Sequence, residues 1–393
     1  MAQISSIEML WGLDPKRGGV VAAVRTLSAA MSGDRRIDAK VVGLVPDGQS
    51  RMEVCQVDRN TYSLPSGRLR WFRELSLQTQ LNEIAAGGSI IHLHGLWQEH
   101  GLAAASAAKK LGIPYIASAH GMLDRQALGT KRWRKEIYAA LFERRNLANA
   151  SALRAITVSE LNDYRRFGLK TPVVVIPNGV SIPERRDPQM FLERFPALTN
   201  QRIILFMGRL HPHKGVDLLI RAWSRIASRF SDSHLVVAGP DEVGIQAALA
   251  QLAGDLAISS RVTFTGMLKH ELKWSALSAA EFLVLPSRSE VLSLVALEAM
   301  ACARPVILTR GCNFPEVATH DAGVVIERNE PEIERALIDV LTLATKDRQA
   351  IGARGRELVR SRYSLASVAR SMADCYEWLI GGGTPNSLEI HYC

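Results

Sequence analysis

The feature that most constrains the fold of this chain is an alternation of short apolar runs with longer segments of helical periodicity, which extends through both halves of the sequence. Runs of strand length separated by helices are typical of βαβ units, which assemble into parallel sheets covered by helices. The predicted strands are Ile4–Leu10, Lys40–Val45, Ser89–Leu93, Tyr115–Ser118, Ala155–Val158 and Val173–Ile176 in the first half, and Ile203–Met207, Leu235–Ala238, Val262–Thr265, Phe282–Leu285, Val306–Leu308 and Gly323–Ile326 in the second. The pattern therefore predicts an α/β protein.

The length of the chain indicates two domains rather than one. Its 393 residues exceed the roughly 250–300 that a single hydrophobic core supports. The segment that starts at Pro177 is rich in turn-forming and charged residues, as expected of a linker. In doubly wound sheets, ligands bind beyond the carboxyl ends of the strands, so residues directly after strands are the first site candidates.

Composition excludes several classes of protein. Apolar residues make up 47% and charged residues 22% of the chain, the balance of an ordinary globular protein. No apolar run approaches the ~20 residues that cross a bilayer, and no basic region precedes the first apolar run as in a secretory signal. The five cysteines show no C-x-x-C spacing, which argues against a disulfide framework and a zinc site. These observations predict a cytoplasmic protein.

Much of the net charge of +9 lies in one stretch. Between Asp124 and Lys170, basic residues outnumber acidic residues about two to one, and residues 131–145 form a basic helical pattern that contains Trp133. Such a helix suits an anionic membrane surface or a phosphate-bearing partner. A solvated helix face explains the same pattern equally well, so both interpretations stay open.

The first candidate site motif is Gly208–Gly215, directly after the first strand of the second half. Arg209 and Lys214 lie in this turn, and a predicted helix over Val216–Arg229 follows it. Two cations beside a helix N-terminus are well suited to a diphosphate. The order of residues is not that of a P-loop, and a basic surface turn is the simpler alternative.

The second candidate motif follows the strand predicted at Phe282–Leu285. Glu290 lies in the loop and Glu298 in the next helix, and the amides near Leu292, Ser293 and Leu294 would form the N-terminus of that helix. Carboxylates on both sides of an anion site suit hydroxyl groups, which donate hydrogen bonds to them. Two glutamates at this spacing are common by chance, but together with the cationic loop they predict a phosphate- and hydroxyl-binding site.

Taken together, these motifs resemble the retaining GT-B glycosyltransferases of family 4, in particular bacterial enzymes that build exopolysaccharide or lipopolysaccharide chains (group 1 type). The similarity extends over about residues 12–375. It is carried by Gly208–Gly215, by Glu290–Glu298 with the Glu-Ala-Met-Ala-Cys segment that begins at Glu298, by His92–Trp97, by Ser118–Leu123 and by Ile176–Val180.

The resemblance implies a GT-B fold, in which two Rossmann-like doubly wound domains face each other across a cleft. Residues 1–180 would form the acceptor-binding domain, residues 181–200 a linker and residues 201–364 the nucleotide-sugar-binding domain. A helix over 365–380 is expected to cross back to the first domain, and residues 381–393 to form a flexible tail.

The resemblance also implies roles on the donor side. Arg209 and Lys214 would bind the donor diphosphate, together with the backbone at residues 292–294. Gly19, in the pair Gly18-Gly19, would let the chain approach the donor closely. Glu298 would accept hydrogen bonds from the ribose.

Other roles concern the reaction centre and the acceptor. The resemblance places His120 beside the transferred sugar as a catalytic residue, and Glu290 as the second catalytic residue, on the hydroxyls of that sugar. His94 and Trp97 are weaker candidates on the acceptor side. Without the family resemblance, a single histidine in a loop would more often be structural.

Some positions depart from the family pattern. The family commonly has an aromatic residue at position 292 and glycine at positions 293 and 303, where this chain has Leu292, Ser293 and Ala303. These changes put the sugar selectivity and the loop shape in question. No D-x-D motif occurs, so we expect cations of the chain to neutralise the diphosphate without a metal or any other cofactor.

The resulting hypothesis is transfer of a hexosyl group, with retention of configuration, from a nucleotide diphosphate sugar to a glycan or polyprenyl-linked glycan in cell-surface polysaccharide synthesis. The protein would act in the cytoplasm, at the inner face of the cytoplasmic membrane. Two alternatives stay open: a nucleotide-sugar epimerase or hydrolase on the same fold, and a catalytically silent protein that docks on membranes. No nucleic-acid partner is expected, because no recognised binding motif is present.

Overall fold

The computed structural model describes residues 3–14, 19–45, 55–58, 60–65, 81–85, 87–184 and 187–393. The chain divides into two compact units. The first consists of residues 1–179 together with 365–393, and the second of residues 180–364.

The strands follow the alternation seen in the sequence. They are β1 (Ile4–Leu10), β2 (Ile37–Val45), β3 (Cys55–Asp58), β4 (Thr61–Pro65), β5 (Ile90–His94), β6 (Tyr115–Ser118), β7 (Ala152–Ala155), β8 (Val173–Val175), β9 (Arg202–Met207), β10 (Ser233–Ala238), β11 (Val262–Gly266), β12 (Ala280–Leu285), β13 (Val306–Thr309), β14 (Gly323–Ile326) and β15 (Ile390–His391).

The helices lie between these strands. They are α1 (Gly19–Ser32), α2 (81–85), α3 (Glu99–Leu111), α4 (Arg125–Gly129), α5 (Arg132–Tyr138), α6 (Arg144–Ala148), α7 (Val158–Arg166), α8 (Gln189–Arg194), α9 (Val216–Ile226), α10 (Gln246–Asp255), α11 (His270–Ala279), α12 (Leu294–Ala301), α13 (Glu316–Thr319), α14 (Glu330–Thr342), α15 (Thr345–Leu358) and α16 (Leu365–Leu379). One π-helical turn, Ala139–Glu143, joins α5 to α6, and another, Val359–Tyr363, follows α15. None of the helices in the described part of the chain combines the length and the apolar character needed to cross a bilayer.

The first unit is built on a sheet with the strand order β15-β8-β7-β6-β5-β1-β2-β4-β3. Its pairs are parallel except β3 with β4 and β15 with β8. The strand order reverses between β1 and β5, so the carboxyl ends of these neighbouring strands form the switch point at which doubly wound sheets bind ligands.

One predicted strand of this unit is wrong in position. The run predicted as Ala155–Val158 is extended only over Ala152–Ala155, and Val158 already begins α7. The side chain of Thr157 accepts a hydrogen bond from the amide of Glu160 at 3.3 Å, which caps the helix. A capping threonine therefore ends the extended segment earlier than its apolar residues suggest.

The last helix of the chain belongs to the first unit. Met372, Cys375 and Tyr376 of α16 are fully buried in a cluster that includes Ile4 and Ile37. Beyond α16, where a flexible tail is expected from the sequence, β15 pairs with β8. The segment expected to be a linker contains α8, whose Phe191 is buried. The amide of Phe191 donates a hydrogen bond to Ser275 Oγ at 2.9 Å.

The second unit has a wholly parallel sheet with the order β11-β10-β9-β12-β13-β14. Helix α9 packs against α10 and α14 and buries Trp223 completely. The indole Nε1 of Trp223 donates to the carbonyl of Arg261 at 3.2 Å. The strand order reverses between β9 and β12. The loops that carry the two predicted motifs therefore leave adjacent strands at the same edge.

Candidate active site

In the second unit, the cationic loop after β9 directly contacts the glutamate loop after β12. A short 3₁₀ turn covers Pro212–Lys214, and Gly215 then adopts φ +72° to start α9. A Cβ atom at Gly215 would collide with the carbonyl oxygen of Pro286, so only glycine permits this contact. The amide of Arg288 also donates to the carbonyl of His213 at 2.7 Å.

Two side chains that the sequence reasoning missed hold these loops in place. Arg328 donates from Nε to the carbonyl of Pro286 at 2.9 Å, and its Nη2 lies 3.4 Å from the carbonyl of Pro212. Asn313 donates from Nδ2 to the carbonyl of Glu290 at 2.6 Å. Both residues follow strands of the second sheet, but nothing else in the sequence distinguishes them.

The predicted cations and carboxylates occur as ion pairs. Lys214 Nζ contacts Glu290 Oε1, which also accepts a hydrogen bond from Ser287 Oγ at 2.7 Å. On the more open side of the loop, Arg209 pairs with Glu242 at 3.2 Å. The structure thus brings Lys214 and Glu290 together, while Arg209 points to a different carboxylate.

Glu298 lies on α12 and is largely buried. Burial raises the pKa of its carboxyl group, and the nearby Lys273 opposes that rise. Lys273 donates from Nζ to Glu298 Oε1 at 2.6 Å. Lysine 273 is a further partner that sequence reasoning missed, since it lies on α11, far from the motif.

The amides predicted to receive an anion lie at the start of α12. Leu292 and Ser293 are buried, and Ser293 occupies the cap position before Leu294. Its backbone is extended and its hydroxyl makes no capping hydrogen bond. The first turn of α12 is therefore not closed by its own cap residue, and its amides remain donors for another group.

The first unit contains a buried polar cluster at the switch point of its sheet. Glu8 of β1 accepts a hydrogen bond from His94 Nε2 of β5 at 2.9 Å, and His94 Nδ1 lies 3.0 Å from His120 Nε2. Tyr376 of α16 donates to Glu8 at 2.8 Å, and His92 Nδ1 lies 2.7 Å from the same hydroxyl. All of these side chains are at least nine-tenths buried.

Burial determines the ionisation of this cluster. Burial lowers the pKa of His94 to about 3, with His92 and Arg154 adding to the effect, and it also lowers the pKa of His120 strongly. Burial alone would raise the pKa of Glu8, but the influence of His92 and His94 outweighs it and holds that pKa well below its ordinary value. The cluster therefore contains a carboxylate among neutral imidazoles at neutral pH.

The structure places the remaining predicted residues as follows. His94 is buried beneath His120 and is not open to an acceptor. The amide of Trp97 donates to Glu143 Oε2 at 2.9 Å, and the indole ring of Trp97 packs against Tyr138. Gly19 is the first residue of α1, and a Cβ atom added to it would meet no other atom within 4 Å among the described residues. Gly18 lies outside the described residues.

Sequence reasoning assigned no role to Glu8, His92 or Tyr376. A signal existed for Glu8, because it is the one charged residue of the buried strand β1. His92 was part of a recognised motif, and only its position opposite Glu8 in the parallel register reveals its role. Tyr376 carries no such signal.

The chain consists of two doubly wound units, and the second unit carries paired cations and carboxylates at the switch point of its sheet. This arrangement is that of the GT-B class of transferases. The model of the family described as "Glycosyl transferase 4-like domain" matches residues 18–179, and the model described as "Glycosyl transferases group 1" matches residues 191–358. The chain belongs to the group 1 glycosyl transferases. The predicted fold class is confirmed.

Relatives of known name support this membership. The chain is 31% identical over 285 residues to the D-inositol 3-phosphate glycosyltransferase of Frankia alni, an alignment that covers 68% of this chain and 69% of that protein. It is 30% identical over 213 residues to the GDP-mannose-dependent monoacylated alpha-(1-6)-phosphatidylinositol monomannoside mannosyltransferase of Corynebacterium glutamicum, covering 50% of this chain and about half (54%) of that protein.

Solved structures share the fold. Sucrose-phosphate synthase from Thermosynechococcus elongatus superposes with a TM-score of 0.76 at 20% identity, covering 95% of this chain and 99% of that one. The Anabaena protein HepE, solved in complex with UDP and glucose, gives a TM-score of 0.74 at 19% identity with the same coverage.

Proposed function

We propose that this glycosyltransferase moves a hexosyl group from a nucleotide diphosphate sugar to a hydroxyl of a glycan or lipid-linked glycan, with retention of configuration, in cell-surface polysaccharide synthesis. The observation that carries the proposal is the meeting of the Lys214 loop with the Glu290 loop at adjacent strand ends. The Corynebacterium relative is named for GDP-mannose and the Anabaena structure contains UDP, which supports a nucleotide-linked donor.

Donor binding would exchange existing ion pairs. Lys214 and Arg209 would turn from Glu290 and Glu242 to the diphosphate oxygens, where they stabilise the negative charge that develops on the leaving group. Glu290, released from Lys214, would accept hydrogen bonds from hydroxyls of the transferred sugar. Glu298 would do the same for the ribose, with Lys273 as its remaining partner.

In the transfer step, the bond between the anomeric carbon and the phosphate oxygen breaks, and a bond to the acceptor oxygen forms on the same face. The acceptor proton passes to an oxygen of the leaving diphosphate, so no separate base is required. His120 would accept a hydrogen bond from a hydroxyl of the sugar. Charge on the leaving group is met by cations of the chain, and we therefore propose that the reaction needs no metal.

We also propose that the protein works at the inner face of the cytoplasmic membrane. Trp133, Ile137, Leu141 and Phe142 are exposed apolar side chains at roughly helical spacing on α5 and the π turn after it. Basic residues surround this row on the same helix. An apolar row flanked by cations suits the interface of an anionic bilayer, where a lipid-linked acceptor would lie.

The experiment that tests the function is a thermal-shift screen with UDP, GDP, ADP and TDP and their sugars, followed by product analysis. One nucleotide series should stabilise the protein, by about 2.7 kcal/mol at a free concentration of 100 Kd. The stabilisation should be lost in Lys214→Ala and should survive EDTA. If no nucleotide raises the melting temperature, the donor site is wrong.

Product analysis with and without added acceptor separates the alternatives. A transferase gives a new glycoside only when acceptor is present. Epimerised or hydrolysed donor formed at full rate without acceptor would favour the epimerase or hydrolase. Nucleotide binding without any turnover on a panel of lipid-linked acceptors would favour a silent binding protein. Loss of turnover in EDTA with rescue by Mg²⁺ would contradict the metal-free reaction.

A further inference from the structure

A continuous hydrogen-bonded chain joins Glu8 to His120 through the interior of the first unit. Glu8 Oε2 lies 2.9 Å from His94 Nε2, and His94 Nδ1 lies 3.0 Å from His120 Nε2. The three residues come from β1, from β5 and from the loop after β6, which are neighbours in the sheet. A carboxylate in contact with one imidazole, which in turn contacts a second, determines where each proton can lie.

The carboxylate fixes the first proton. Glu8 Oε1 lies 2.8 Å from both Ser6 Oγ and the Tyr376 hydroxyl. Glu8 Oε2 lies 2.9 Å from His94 Nε2 and 3.3 Å from His92 Nδ1. An ionised carboxylate can only accept hydrogen bonds, so His94 must carry its proton on Nε2. His94 Nδ1 then holds a lone pair, and His120 must donate to it from Nε2–H.

The neighbouring residues agree with this assignment. The Tyr376 hydroxyl donates its single proton to Glu8. The Tyr376 oxygen therefore accepts a hydrogen bond from His92 Nδ1–H at 2.7 Å. His92 Nε2 then accepts from the hydroxyl of Ser118 at 2.7 Å. One set of proton positions therefore satisfies every hydrogen bond of the cluster with neutral histidines, in accord with the lowered pKa values of His92 and His94.

The backbone at His120 is fixed as well. His120 has φ +53°, in the left-handed region that residues other than glycine rarely adopt. Glu160 accepts from the amide of Gly121 at 2.6 Å, and the hydroxyl of Tyr164 accepts from the amide of Ala119 at 2.8 Å. These two bonds hold the loop on both sides of His120, so the position of the ring is set by the fold.

From this geometry we propose that Glu8 is a positioning residue that acts through His94 to keep the proton of His120 on Nε2, which leaves His120 Nδ1 as a hydrogen-bond acceptor for a hydroxyl of the bound sugar. His120 Nδ1 has no hydrogen-bond partner among the described residues. The part that concerns the sugar rests on the proposed function. The proton positions do not, since they follow from the hydrogen bonds of the first unit.

The test uses Glu8→Gln in the full-length protein. The carbonyl oxygen of glutamine can replace Oε1 and still accept from Tyr376 and Ser6, while its amide replaces Oε2 and donates to His94 Nε2. The protons of His94 and His120 would then both move to Nδ1. His120 Nδ1, an acceptor in the native protein under this proposal, would become a hydrogen-bond donor in the variant.

The readout is ¹⁵N NMR of histidine-labelled protein, with His120→Asn used to identify the His120 resonances. Native His120 should show a protonated Nε2, and Glu8→Gln should move that proton to Nδ1. Tyr376→Phe is the matched control, since it removes a donor from Glu8 without touching the His94 bond and should leave the His120 tautomer unchanged. In Glu8→Gln, kcat should fall roughly 10- to 100-fold with the donor KM within about threefold, the scale of one mismatched buried hydrogen bond.

Several outcomes would overturn the inference. Protonation of His120 on Nδ1 in the native protein would overturn it, and this measurement needs no variant, so it holds even if Glu8→Gln fails to fold. An unchanged His120 tautomer in folded Glu8→Gln would do so too. Glu8, His92 and His94 also place ligand-type atoms within 4.8 Å of one another, so stoichiometric metal in the purified protein would mean that a cation, not a proton, sits between them.

The experiment also separates this inference from the proposed function. If the tautomers behave as expected but no acceptor is glycosylated by the native protein, the proposed function fails and the relay from Glu8 to His120 stands. If the protein is an active transferase but Glu8→Gln changes neither the tautomer nor kcat, the relay fails and the proposed function stands.

Discussion

At the residue scale, the cations of the proposed donor site in the second unit are already paired with carboxylates. Lys214 pairs with Glu290, Lys273 with Glu298 and Arg209 with Glu242. A diphosphate that bound at this proposed site would therefore compete with carboxylates for the same cations. Since Lys214 is largely buried and Arg209 is more than half exposed, exchange at Lys214 takes place in the lower dielectric and should matter more.

The first prediction tests these two cations. Lys214→Ala and Arg209→Ala should each lower kcat/KM by roughly 10²–10³, with Lys214→Ala at the upper end, because each removes a preorganised donor to the leaving group. Steady-state kinetics with a varied donor measure the effect. Arg335→Ala is the control, because Arg335 is an exposed arginine of the same unit that pairs with Glu332 at 2.8 Å. This variant should leave kcat/KM unchanged. Near-native kcat/KM in both folded site variants would refute the assignment.

The second prediction separates the two glutamates. Glu298→Gln should mainly raise the donor KM, because the ribose does not change during the reaction and its contact contributes uniform binding. Glu290→Gln should mainly lower kcat, because the migrating sugar changes charge and shape in the transition state. Donor titrations at saturating acceptor decide between them.

Lys273→Gln serves as the control for that comparison. It removes the ion pair of Glu298 without removing the carboxylate. The change in kcat and donor KM in this variant therefore measures the contribution of the ion pair, not that of the proposed contact with ribose. The same kinetic signature for Glu290→Gln and Glu298→Gln, or the reverse one, would show that the roles are wrong.

At the element scale, the departures from the family pattern acquire a physical meaning at the end of α12. Ala303 has φ +57°, and its amide bonds to the carbonyl of Met300 at 2.8 Å. The position that commonly holds glycine in the family therefore needs a left-handed backbone, which costs alanine roughly 1–2 kcal/mol. The chain tolerates this strain while keeping the turn that leads to β13.

The third prediction follows from that strain. Ala303→Gly should raise the free energy of unfolding by about 1 kcal/mol, since the relief of strain exceeds the added chain entropy of glycine. Urea denaturation measures the change. Ala250→Gly, at an exposed position inside α10, is the matched control and should lower stability by about 1 kcal/mol. Equal loss of stability in both variants would contradict a strained Ala303.

The helix over residues 132–148 shows how structure refines a charge pattern. From the sequence, its basic residues suit either an anionic surface or a solvated helix face. In the structure, Lys135 donates from Nζ to the carbonyl of Ala127 at 2.5 Å and lies over the ring of Trp97. Burial lowers the pKa of Lys135. This lysine is thus part of the fold, whereas Lys131, Arg132 and Arg134 are exposed cations at the start of the same segment.

The fourth prediction concerns that surface. Replacing Lys131, Arg132 and Arg134 by glutamine should weaken binding to anionic liposomes by about 1 kcal/mol per charge, and high salt should mimic the change. Trp133→Ser with Leu141→Ser should remove the binding that persists at high salt, because both side chains are exposed and apolar. Vesicle cosedimentation measures both.

The control for the membrane surface neutralises Arg310, Arg335 and Arg360, three exposed arginines of the second unit. It removes the same charge from the protein and should leave liposome binding nearly unchanged. If the native protein does not bind anionic vesicles at low salt, the helix is only a solvated face.

At the scale of the whole molecule, the chain completes its first unit with its last residues. Helix α16 follows the second unit in sequence, but Met372 and Tyr376 are buried among strands of the first sheet. Tyr376 also donates to Glu8 across a separation of 368 residues. The first unit therefore lacks part of its core until α16 has been synthesised.

The fifth prediction follows from this order. A chain that ends at Ser364 should lose the folded first unit, because the apolar cluster under α16 becomes exposed to water. A chain that ends at Gly382 loses only β15 and the segment before it, and should keep near-UV circular dichroism and protease resistance. Native-like protease resistance of residues 87–179 in the shorter chain would contradict the role given to α16.

Sequence alone determined the local and periodic features of this protein. The alternation of strands and helices, the division into two units and the loops of Lys214 and Glu290 all follow from periodicity and turn residues that act over a few positions. Family resemblance added roles for Arg209, Lys214, Glu290, Glu298 and His120, and these roles stay predictions. The start of α7 was missed because a capping threonine outweighed an apolar run.

Only the tertiary structure decided which side chains face one another. Glu8 contacts His94 because β1 and β5 are neighbours in the sheet. Arg328 binds two loops that leave adjacent strands. Tyr376 contacts Glu8 although 368 residues separate them in sequence. No local pattern encodes these pairings, because each depends on the order in which strands assemble into a sheet. The proton that we infer on His120 Nε2 depends on these pairings, because a buried carboxylate can only accept hydrogen bonds from its neighbours.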